Sequence, residues 1–202
     1  MKSKLISSPS IYMLIMVVFI LQPALVQAQT SPFDLDEKDN PIITEDVAKK
    51  IVNTAEFEIL DEGSVLERMF GESEYLKLSN LQGKIVVFDF WQTWCGPCLA
   101  SFKGFHKAKE TWPDKIEILA ASPDWADGKR KIRQFNQKHN YDFNFVLAYE
   151  LEKDLNLSSI PYKIIIAPDG SLITSVSGSK GPEGEFKVLE DLINTWFSNK
   201  ES

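Results

Sequence analysis

Two cysteines, Cys95 and Cys98, are the residues of this sequence whose type and spacing point to chemistry. A structural zinc site needs four ligands, and the histidines His106 and His139 supply no second pair at ligand spacing. A bond between cysteines three positions apart closes too short a loop to stabilise a fold appreciably. The spacing therefore predicts a redox-active dithiol, which is intrinsic to the chain and needs no metal or other cofactor.

The residues that follow the cysteines predict that the dithiol lies at the beginning of a helix. Leu99, Phe102 and Phe105 recur at roughly helical spacing, which places Cys98 in the first turn of an amphipathic helix. A cysteine at a helix N-terminus meets unpaired backbone N–H groups and the positive end of the helix dipole, and both favour the thiolate. Cys95 is therefore predicted to be the attacking thiol, and the more buried Cys98 is predicted to resolve the mixed disulfide.

Asp89 is the one charged residue in an otherwise apolar run at residues 85–91, six positions before Cys95. Desolvation raises the pKa of an unpaired carboxyl group in such surroundings, so Asp89 is a candidate to accept the proton of Cys98 as that thiol attacks. The alternative is that the Asp89 side chain only hydrogen-bonds a neighbouring backbone group.

Strand and helix patterns alternate along the chain and predict an α/β fold. The β-branched and aromatic runs at residues 85–91 and 116–121 are typical of strands buried on both faces. Asp127 is placed to cap a following helix. Further strands are predicted at residues 56–60, 75–78, 143–147, 164–166 and 172–176, and further helices at 64–71, at 149–156 and at the C-terminus. This order predicts a mixed central sheet that is covered by helices on both faces.

The first residues have the pattern of a secretory signal peptide. Lys2 and Lys4 precede an apolar run at residues 11–21, and the small-residue site at 26–28 follows it. We expect cleavage after Ala28 and a periplasmic or other extracytoplasmic location, and the alternative is a membrane anchor formed by residues 11–26. Residues 29–40 are polar and acidic, with Pro32 among them and Pro41 directly after them, and residues 29–54 as a whole are interpreted as a flexible leader. Residues 44–52 could form a helical turn, although their apolar periodicity is weak.

The charge of the chain argues against nucleic acid as a partner. Removal of the first 28 residues, which carry two lysines and no acid, takes the formal net charge from −7 to −9. A protein that binds a nucleic-acid duplex needs a basic patch, because its affinity comes from releasing counterions. We expect contact with the membrane only through the N-terminal segment, if that segment is retained.

The active-site stretch also carries a family resemblance. Residues 87–98 (VFDFWQTWCGPC) resemble the active-site strand and loop of thioredoxins almost residue for residue. Residues 159–161 (SIP) resemble the cis-proline loop of that family, which packs against the two cysteines and offers its backbone to a substrate. The resemblance implies a thioredoxin fold with a cis Ile160–Pro161 bond. It also implies a substrate-binding surface formed by Trp94, Gly96, Pro97, Ile160 and Pro161.

Within the thioredoxins, the chain is similar to the extracytoplasmic TlpA/ResA-like subgroup over residues 55–199. The N-terminal segment, the lead-in at residues 78–84 (LSNLQGK) and an extra helix and strand between Ala121 and Leu151 carry this similarity. It implies an N-terminal strand extension and a helix–strand insertion in the fold. It also implies reduction of disulfide-bearing protein substrates outside the cytoplasm, recharging by a membrane-bound electron donor, and a role in cytochrome c maturation.

Three features depart from the subgroup pattern. Tyr162 follows Pro161 where threonine is usual, and the helix at 64–71 interrupts the first strand pair, so both bear on the identity of the substrate. Asp89 stands where many subgroup members have an uncharged residue, which makes the chemistry more like that of ordinary thioredoxins. The alternatives to a reductase are a net disulfide oxidant, which the Gly96–Pro97 dipeptide argues against, and a non-enzymatic protein-binding module. A thiol peroxidase is disfavoured by the sequence setting of its reactive cysteine.

Overall fold

Buried strands alternate with helices along the chain, as the sequence pattern predicts. The computed structural model describes residues 35–60 and 74–198. In chain order, the elements are α1 (Glu45–Thr54), β1 (Glu56–Glu58), β2 (Tyr75–Lys77), β3 (Ile85–Phe90), α2 (Gly96–Thr111), β4 (Ile116–Ser122), α3 (Lys129–His139), β5 (Asn144–Leu147), α4 (Tyr149–Leu155), β6 (Tyr162–Ile166), β7 (Leu172–Ser177) and α5 (Gly181–Phe197). The helix predicted at residues 64–71 lies outside the described residues.

Five of the strands form the mixed sheet that the sequence predicts. Their order is β5-β4-β3-β6-β7, so β3 lies at the centre. Strand β3 pairs in parallel with β4 and antiparallel with β6, while β4 pairs in parallel with β5 and β6 pairs antiparallel with β7. Every residue of β3 is buried, because helices cover the sheet on both sides. The continuous apolar character of residues 85–91 is therefore the sequence signature of a strand without a solvent face.

The two faces of β3 contribute to two separate hydrophobic clusters. Phe88 and Phe90 belong to a cluster that contains apolar residues of α1 and α4. Val87 and Trp91 belong to the other cluster, which contains both active-site cysteines and apolar residues of α2, α3 and α5. The prediction of helices on both faces is thus confirmed, and the dithiol shares its face of the sheet with α2, α3 and α5.

The N-terminal strand extension and the helix–strand insertion are both present. Strand β1 pairs antiparallel with β2, with Phe57 opposite Leu76. Just after β1, Ile59 forms an antiparallel bridge with Val146 of β5, which joins this hairpin to the edge of the main sheet. The insertion consists of α3 and β5, which lie between β4 and α4 in the chain. The architecture matches the expected thioredoxin fold with these two additions.

Residues 35–54 of the predicted flexible leader are ordered, and the helical turn considered at residues 44–52 is part of α1. Helix α1 begins after Thr44, whose side chain accepts a hydrogen bond from the N–H of Val47, and it buries Ala48, Ile51 and Val52. Before the helix, Asn40 is fully buried. The prediction failed because the stabilising partners of this segment lie more than 100 positions away in the sequence, where a local reading of composition does not find them.

Tyr162, which follows Pro161 where threonine is usual, faces away from the dithiol. Its ring belongs to the cluster of Phe88 and Phe90, and its hydroxyl group donates a hydrogen bond to the carbonyl oxygen of Pro41. Burial raises the pKa of Tyr162 to about 12, so the phenol keeps its proton. Tyr162 thus anchors the segment before α1, and its side chain takes no part in the surface around the cysteines.

Two kinds of feature do not occur within the described ranges, 35–60 and 74–198. No helix there is long and apolar enough to cross a membrane. No three His, Cys, Asp or Glu side chains there lie together as potential metal ligands. The signal peptide predicted at residues 1–28 and the first residues of the predicted leader lie outside these ranges, so those interpretations stay predictions.

Candidate active site

The two cysteines lie at the N-terminus of α2, as their sequence context predicts. Cys95 is the N-cap residue and Cys98 is in the first turn, and the two form a disulfide bond. The backbone N–H of Cys98 donates a hydrogen bond to the Cys95 sulfur over 3.2 Å. Pro97 lies in the first turn, where its missing N–H costs no helical hydrogen bond. Because the N–H of Cys98 points at the Cys95 sulfur and the positive end of the helix dipole lies at this terminus, the site is built to stabilise negative charge on that sulfur.

The surroundings of the two sulfur atoms differ in exposure. Cys98 is fully buried and Cys95 keeps 4% of its surface exposed, so only Cys95 is open to a partner molecule. Around Cys95, the residues Gly96 and Pro97 are exposed, and Trp94 exposes 57% of its surface. The structure therefore brings Trp94, Gly96 and Pro97 together as a rim at the accessible sulfur.

A buried side chain that the sequence analysis passed over, Gln92, holds the loop before Cys95. Its amide nitrogen donates to the carbonyl oxygen of Pro123 over 2.8 Å. Its amide oxygen accepts from the N–H of Asp127 over 3.0 Å and from the indole N–H of Trp94 over 3.2 Å. Gln92 therefore joins the loop after β4 to the rim and fixes the Trp94 ring. The sequence hint was a polar residue immediately after the buried run at residues 85–91.

Asp127 has a different role from the helix cap that the sequence predicts. The N-cap of α3 is Gly128, and among residues 35–60 and 74–198 no side chain caps that helix with a hydrogen bond. The buried Asp127 carboxylate instead accepts hydrogen bonds from the N–H and the hydroxyl group of Thr93, and it forms an ion pair with Lys131. Asp127 is thus a second support of the active-site loop. Nothing local in the sequence distinguishes it from a capping residue, because Thr93 lies 34 positions away.

Asp89 lies beneath the dithiol helix, on the α2 side of the sheet. Its neighbours two residues along, Val87 and Trp91, both belong to the hydrophobic cluster that contains Cys95 and Cys98. The carboxyl group is fully buried, and neither oxygen has a hydrogen-bond partner in the described part of the protein. The alternative role, a hydrogen bond to neighbouring backbone, is therefore not observed.

The environment of Asp89 favours its protonated form. Desolvation is the largest influence and raises the pKa of Asp89 to about 8, with a smaller rise from Glu185 and an opposing effect of Lys163. A carboxyl group with a pKa this close to neutrality can both accept and return a proton at the pH of most cells. This chemistry suits a proton acceptor for a buried thiol.

The loop before β6 has the geometry that the family resemblance implies. The Ile160–Pro161 peptide bond is cis. Pro161 is buried, and its carbonyl oxygen accepts a hydrogen bond from the N–H of Gly178 over 2.7 Å. Ile160 is half-buried and packs against the cluster that contains both cysteines as well as against the cluster on the other face. The two segments expected to form the substrate-binding surface thus share one hydrophobic cluster.

Asn40 is a further residue that the sequence analysis did not select, and it fixes this loop from outside. Its side-chain oxygen accepts hydrogen bonds from the N–H groups of Ser158 and Ser159, each over 3.0 Å. Its amide nitrogen donates to the hydroxyl groups of Ser159 over 2.9 Å and Ser177 over 2.8 Å. One buried amide therefore braces the loop against β7. No pattern around Asn40 points to these partners.

Comparison with known sequences places the chain in a family. The sequence profile of the AhpC/TSA family matches residues 64–175. The thiol-disulfide oxidoreductase ResA of Bacillus subtilis is 30% identical over 132 residues, which are 60% of this chain and 70% of that protein. ResA of Oceanobacillus iheyensis is 31% identical over 109 residues, which are 52% of this chain and 55% of that protein. The chain thus spans between about half and 70% of the length of these two relatives.

Solved structures share the fold. A thiol:disulfide interchange protein from Bacteroides sp. superimposes with a TM-score of 0.54 at 18% identity, covering 73% of this chain and 92% of that one. A thioredoxin-family thiol:disulfide interchange protein from Chlorobium tepidum gives the same TM-score of 0.54 at 16% identity and covers 60% of this chain and 88% of that one. With its cysteines in CXXC spacing on a thioredoxin-like fold, the chain belongs to the AhpC/TSA family and is a thiol–disulfide oxidoreductase.

Proposed function

We propose that this protein reduces disulfide bonds of other proteins outside the cytoplasm, through exchange with the Cys95–Cys98 pair. The observation that carries this proposal is the position of Cys95 at the N-terminus of α2, with slight exposure inside a rim of exposed residues, above a fully buried Cys98. The Cys95 thiol can therefore contact a partner protein, whereas the Cys98 thiol can contact only Cys95.

The reaction transfers two electrons from the dithiol to the substrate. The Cys95 thiolate attacks one sulfur of the substrate disulfide, forms a mixed disulfide and releases the first substrate thiolate. Cys98 then loses its proton and attacks the Cys95 sulfur, which forms the Cys95–Cys98 bond and releases the second substrate thiolate. Both released thiolates take up protons, and the enzyme is left in the oxidised state that the structure contains.

Asp89 is the proposed acceptor of the Cys98 proton. Cys98 is buried, so water has no direct access to its thiol in the mixed disulfide. Within the described residues, Asp89 offers two oxygens without hydrogen-bond partners on the same side of the sheet, and with its pKa of about 8 the fraction that is ionised near neutrality can accept a proton. After resolution, the Asp89 carboxyl group must return its proton before the next cycle.

The substrate-binding surface is proposed to consist of Trp94, Gly96 and Pro97 on one side and the Ile160–Pro161 loop on the other. The first three are exposed around Cys95, and Ile160 packs against the cluster that contains that cysteine. An extended substrate segment would lie across this surface and bring its disulfide to the Cys95 sulfur.

The proposed direction of reaction is reduction. The Gly96–Pro97 dipeptide is that of thioredoxin-type reductants, whose potentials are about −270 mV, compared with about −120 mV for a strong disulfide oxidant. Steady reduction needs a supply of electrons, so we propose a membrane-bound electron donor as a second partner. The N-terminal segment supports an extracytoplasmic location, and a role in cytochrome c maturation is a narrower proposal of the same kind.

The test is reduction of insulin in the presence of dithiothreitol. The wild-type protein is expected to accelerate it, and the Cys95→Ser variant is expected to show none of that acceleration. A protein that accelerates oxidation of a reduced substrate but not insulin reduction is a net oxidant, and one that does neither is a binding module. A Cys98→Ala variant, which retains substrates as mixed disulfides on Cys95, then identifies the natural partners.

A further inference from the structure

A buried ion pair lies next to the redox site. The ammonium of Lys163 in β6 is 3.0 Å from the Glu185 carboxylate in α5, and each side chain is only 3% exposed. Removing two charges from water is costly, and a hydrophobic pair of similar volume often serves stability equally well. Stability alone is therefore a weak explanation for this ion pair. Its position next to the redox site points to a role in the reaction.

Lys163 lies directly opposite Asp89. Strands β3 and β6 are antiparallel, and the register pairs Asp89 with Lys163 on the α2 side of the sheet. Side chains so paired have Cβ atoms about 4.5–5.5 Å apart, close enough for an ion pair. The Lys163 ammonium nevertheless donates its hydrogen bonds to Glu185 and to the carbonyl oxygen of Gly178, and the Asp89 oxygens have no partner in the described chain. A second carboxylate thus holds the cation that faces Asp89.

Glu185 is itself held firmly in place. Its Oε1 atom accepts hydrogen bonds from the Ser101 hydroxyl group over 3.2 Å and from the N–H of Lys180 over 2.9 Å. Ser101 lies one turn after Cys98 on α2, so this contact also ties Glu185 to the helix that carries the dithiol. Glu185 is not free to leave Lys163.

We propose that Glu185 is a positioning residue of the redox reaction: by holding the Lys163 ammonium, it prevents Lys163 from pairing with Asp89 and leaves the Asp89 carboxylate free to accept the proton of Cys98. This inference rests on the proposed role of Asp89. The step remains the one described above, in which the proton moves from the Cys98 thiol to Asp89 as the Cys98 sulfur attacks Cys95.

Removing the charge of Lys163 and removing the charge of Glu185 are expected to have opposite effects on the ionisation of Asp89. Lys163 faces Asp89 from β6 and Glu185 acts on its charge from α5, while the paired residue of β4 is the uncharged Ala120. Without the Glu185 charge, Lys163 becomes available to Asp89 and stabilises its ionised form. Without Lys163, Asp89 is left beside the negative Glu185, which disfavours ionisation.

The first experiment is a comparison of Asp89→Asn in two backgrounds by urea unfolding at pH 8. In the wild type, the substitution removes an uncompensated buried carboxylate and is expected to raise the unfolding midpoint. In the Glu185→Gln background, it removes the new partner of Lys163 and is expected to lower the midpoint. This reversal of sign measures coupling between the sites. A stabilising effect of equal size in both backgrounds would overturn the proposal.

The second experiment is the pH dependence of mixed-disulfide resolution in a single turnover with a model disulfide peptide. Glu185→Gln is expected to lower the midpoint of the rate profile by about one pH unit or more, and Lys163→Met is expected to raise it. If Glu185→Gln does not fold, Lys163→Met still decides the matter, because an unshifted profile there contradicts the proposal.

The matched control is Glu117→Gln, which breaks a second buried ion pair of the same protein. Glu117 lies 3.0 Å from Lys109, with side-chain exposures of 9% and 8%, and it is paired in register with Val86, three residues before Asp89. It is expected to lower stability without moving the rate profile or reversing the effect of Asp89→Asn. An equal pH shift in this control would show a general effect of lost stability.

The Asp89→Asn variant separates this proposal from the proposed role of Asp89. If Asp89→Asn leaves the rate of resolution unchanged in the wild-type background, the proposed roles of Asp89 and of Glu185 in the reaction both fail. The unfolding comparison still reports whether Glu185 controls Lys163.

Discussion

Cys95 and Cys98 lie in one turn of α2 but differ in what a partner molecule can reach. The backbone N–H of Cys98 points at the Cys95 sulfur, and the Cys98 residue itself is fully buried. Nucleophilic attack requires both a thiolate and access to it. The local geometry therefore supports the proposal that Cys95 takes the first step and Cys98 the second, and this proposal can be tested by substituting each thiol.

Cys95→Ser is expected to abolish disulfide exchange, whereas Cys98→Ser is expected to form mixed disulfides that do not resolve. In the reduced wild-type protein, limiting iodoacetamide should alkylate Cys95 first, because that thiol is the exposed one and the N–H groups of α2 favour its thiolate. Peptide mass spectrometry after partial alkylation gives the order. Alkylation of Cys98 before Cys95 would reverse the two roles.

Asp89→Asn is expected to slow resolution and to stabilise the protein in a pH-dependent way. Because the pKa of Asp89 is raised to about 8 in the folded state, the folded protein binds more protons than the unfolded one between about pH 4 and pH 8. The Asp89 contribution to stability therefore falls as the pH rises through this window, by about 1.4 kcal/mol per unit of pKa difference at most. The variant should match the wild type at pH 4 and exceed it by a few kcal/mol, on this scale, at pH 8.

Urea unfolding of Asp89→Asn and wild type at the two pH values checks this expectation. A stability difference that does not change with pH would mean that Asp89 does not titrate in this range. Unchanged resolution at neutral pH together with a lower unfolding midpoint would identify Asp89 as a structural residue.

Secondary-structure elements position the site through buried amide side chains. Gln92 joins the end of β3 to the loop after β4, and Asn40 joins the segment before α1 to the cis-proline loop and β7. Each is a single side chain that satisfies several backbone groups which would otherwise be buried without partners. Loss of the Gln92 or the Asn40 side chain should therefore disturb the loops more than the helices and strands.

Gln92→Ala is expected to lower the free energy of unfolding by about 1–3 kcal/mol, because it leaves buried backbone groups of the loop after β4 without partners. It should also lower kcat/KM for insulin reduction, since it frees the Trp94 ring. Gln137→Ala, at an exposed position of α3, is the control and should change stability by no more than about 0.5 kcal/mol. Equal effects of the two substitutions would remove the bracing role of Gln92.

Asn40→Ala is expected to raise KM for protein substrates more than it changes the alkylation rate of Cys95. The substitution removes the hydrogen bonds that hold Ser158 and Ser159, next to Ile160, but touches nothing in the first turn of α2. Steady-state insulin reduction and timed alkylation with iodoacetamide give the two quantities. A change in alkylation rate with an unchanged KM would show that Asn40 acts on the thiols and not on the loop.

At the scale of the whole protein, helix α5 packs against helix α2, and Gly104 of α2 allows the two helices to lie close together. A Cβ atom on Gly104 would lie 2.4 Å from the carbonyl oxygen of Pro182 and 2.9 Å from the Cβ of Glu185. The two helices therefore approach each other at the level of Glu185, one turn beyond Ser101 and nearly two turns beyond Cys98. This packing couples the C-terminal helix to the redox site.

Gly104→Ala is expected to lower the free energy of unfolding by about 1–3 kcal/mol, because the helices must separate to accommodate the methyl group. Gly96→Ala is the control for stability, since a Cβ atom at that position meets nothing within 4 Å. Thermal or urea unfolding of the oxidised proteins gives both values. A Gly104→Ala variant as stable as the Gly96→Ala variant would show that α5 moves away without cost.

The sequence alone was sufficient for the dithiol, its place at a helix N-terminus, the buried central strand and the isolated carboxyl group of Asp89. These features follow from spacing and periodicity, which report the face on which a side chain lies and whether that face is buried. The tertiary structure decided which side chains meet. Gln92 meets Asp127 from 35 positions away, Lys163 meets Glu185 from 22, and Asn40 meets Ser159 from 119. Periodicity does not specify partners across such distances, because they depend on how the chain returns to the same point in space. For the same reason residues 35–54, polar in composition, proved to be an ordered part of the domain.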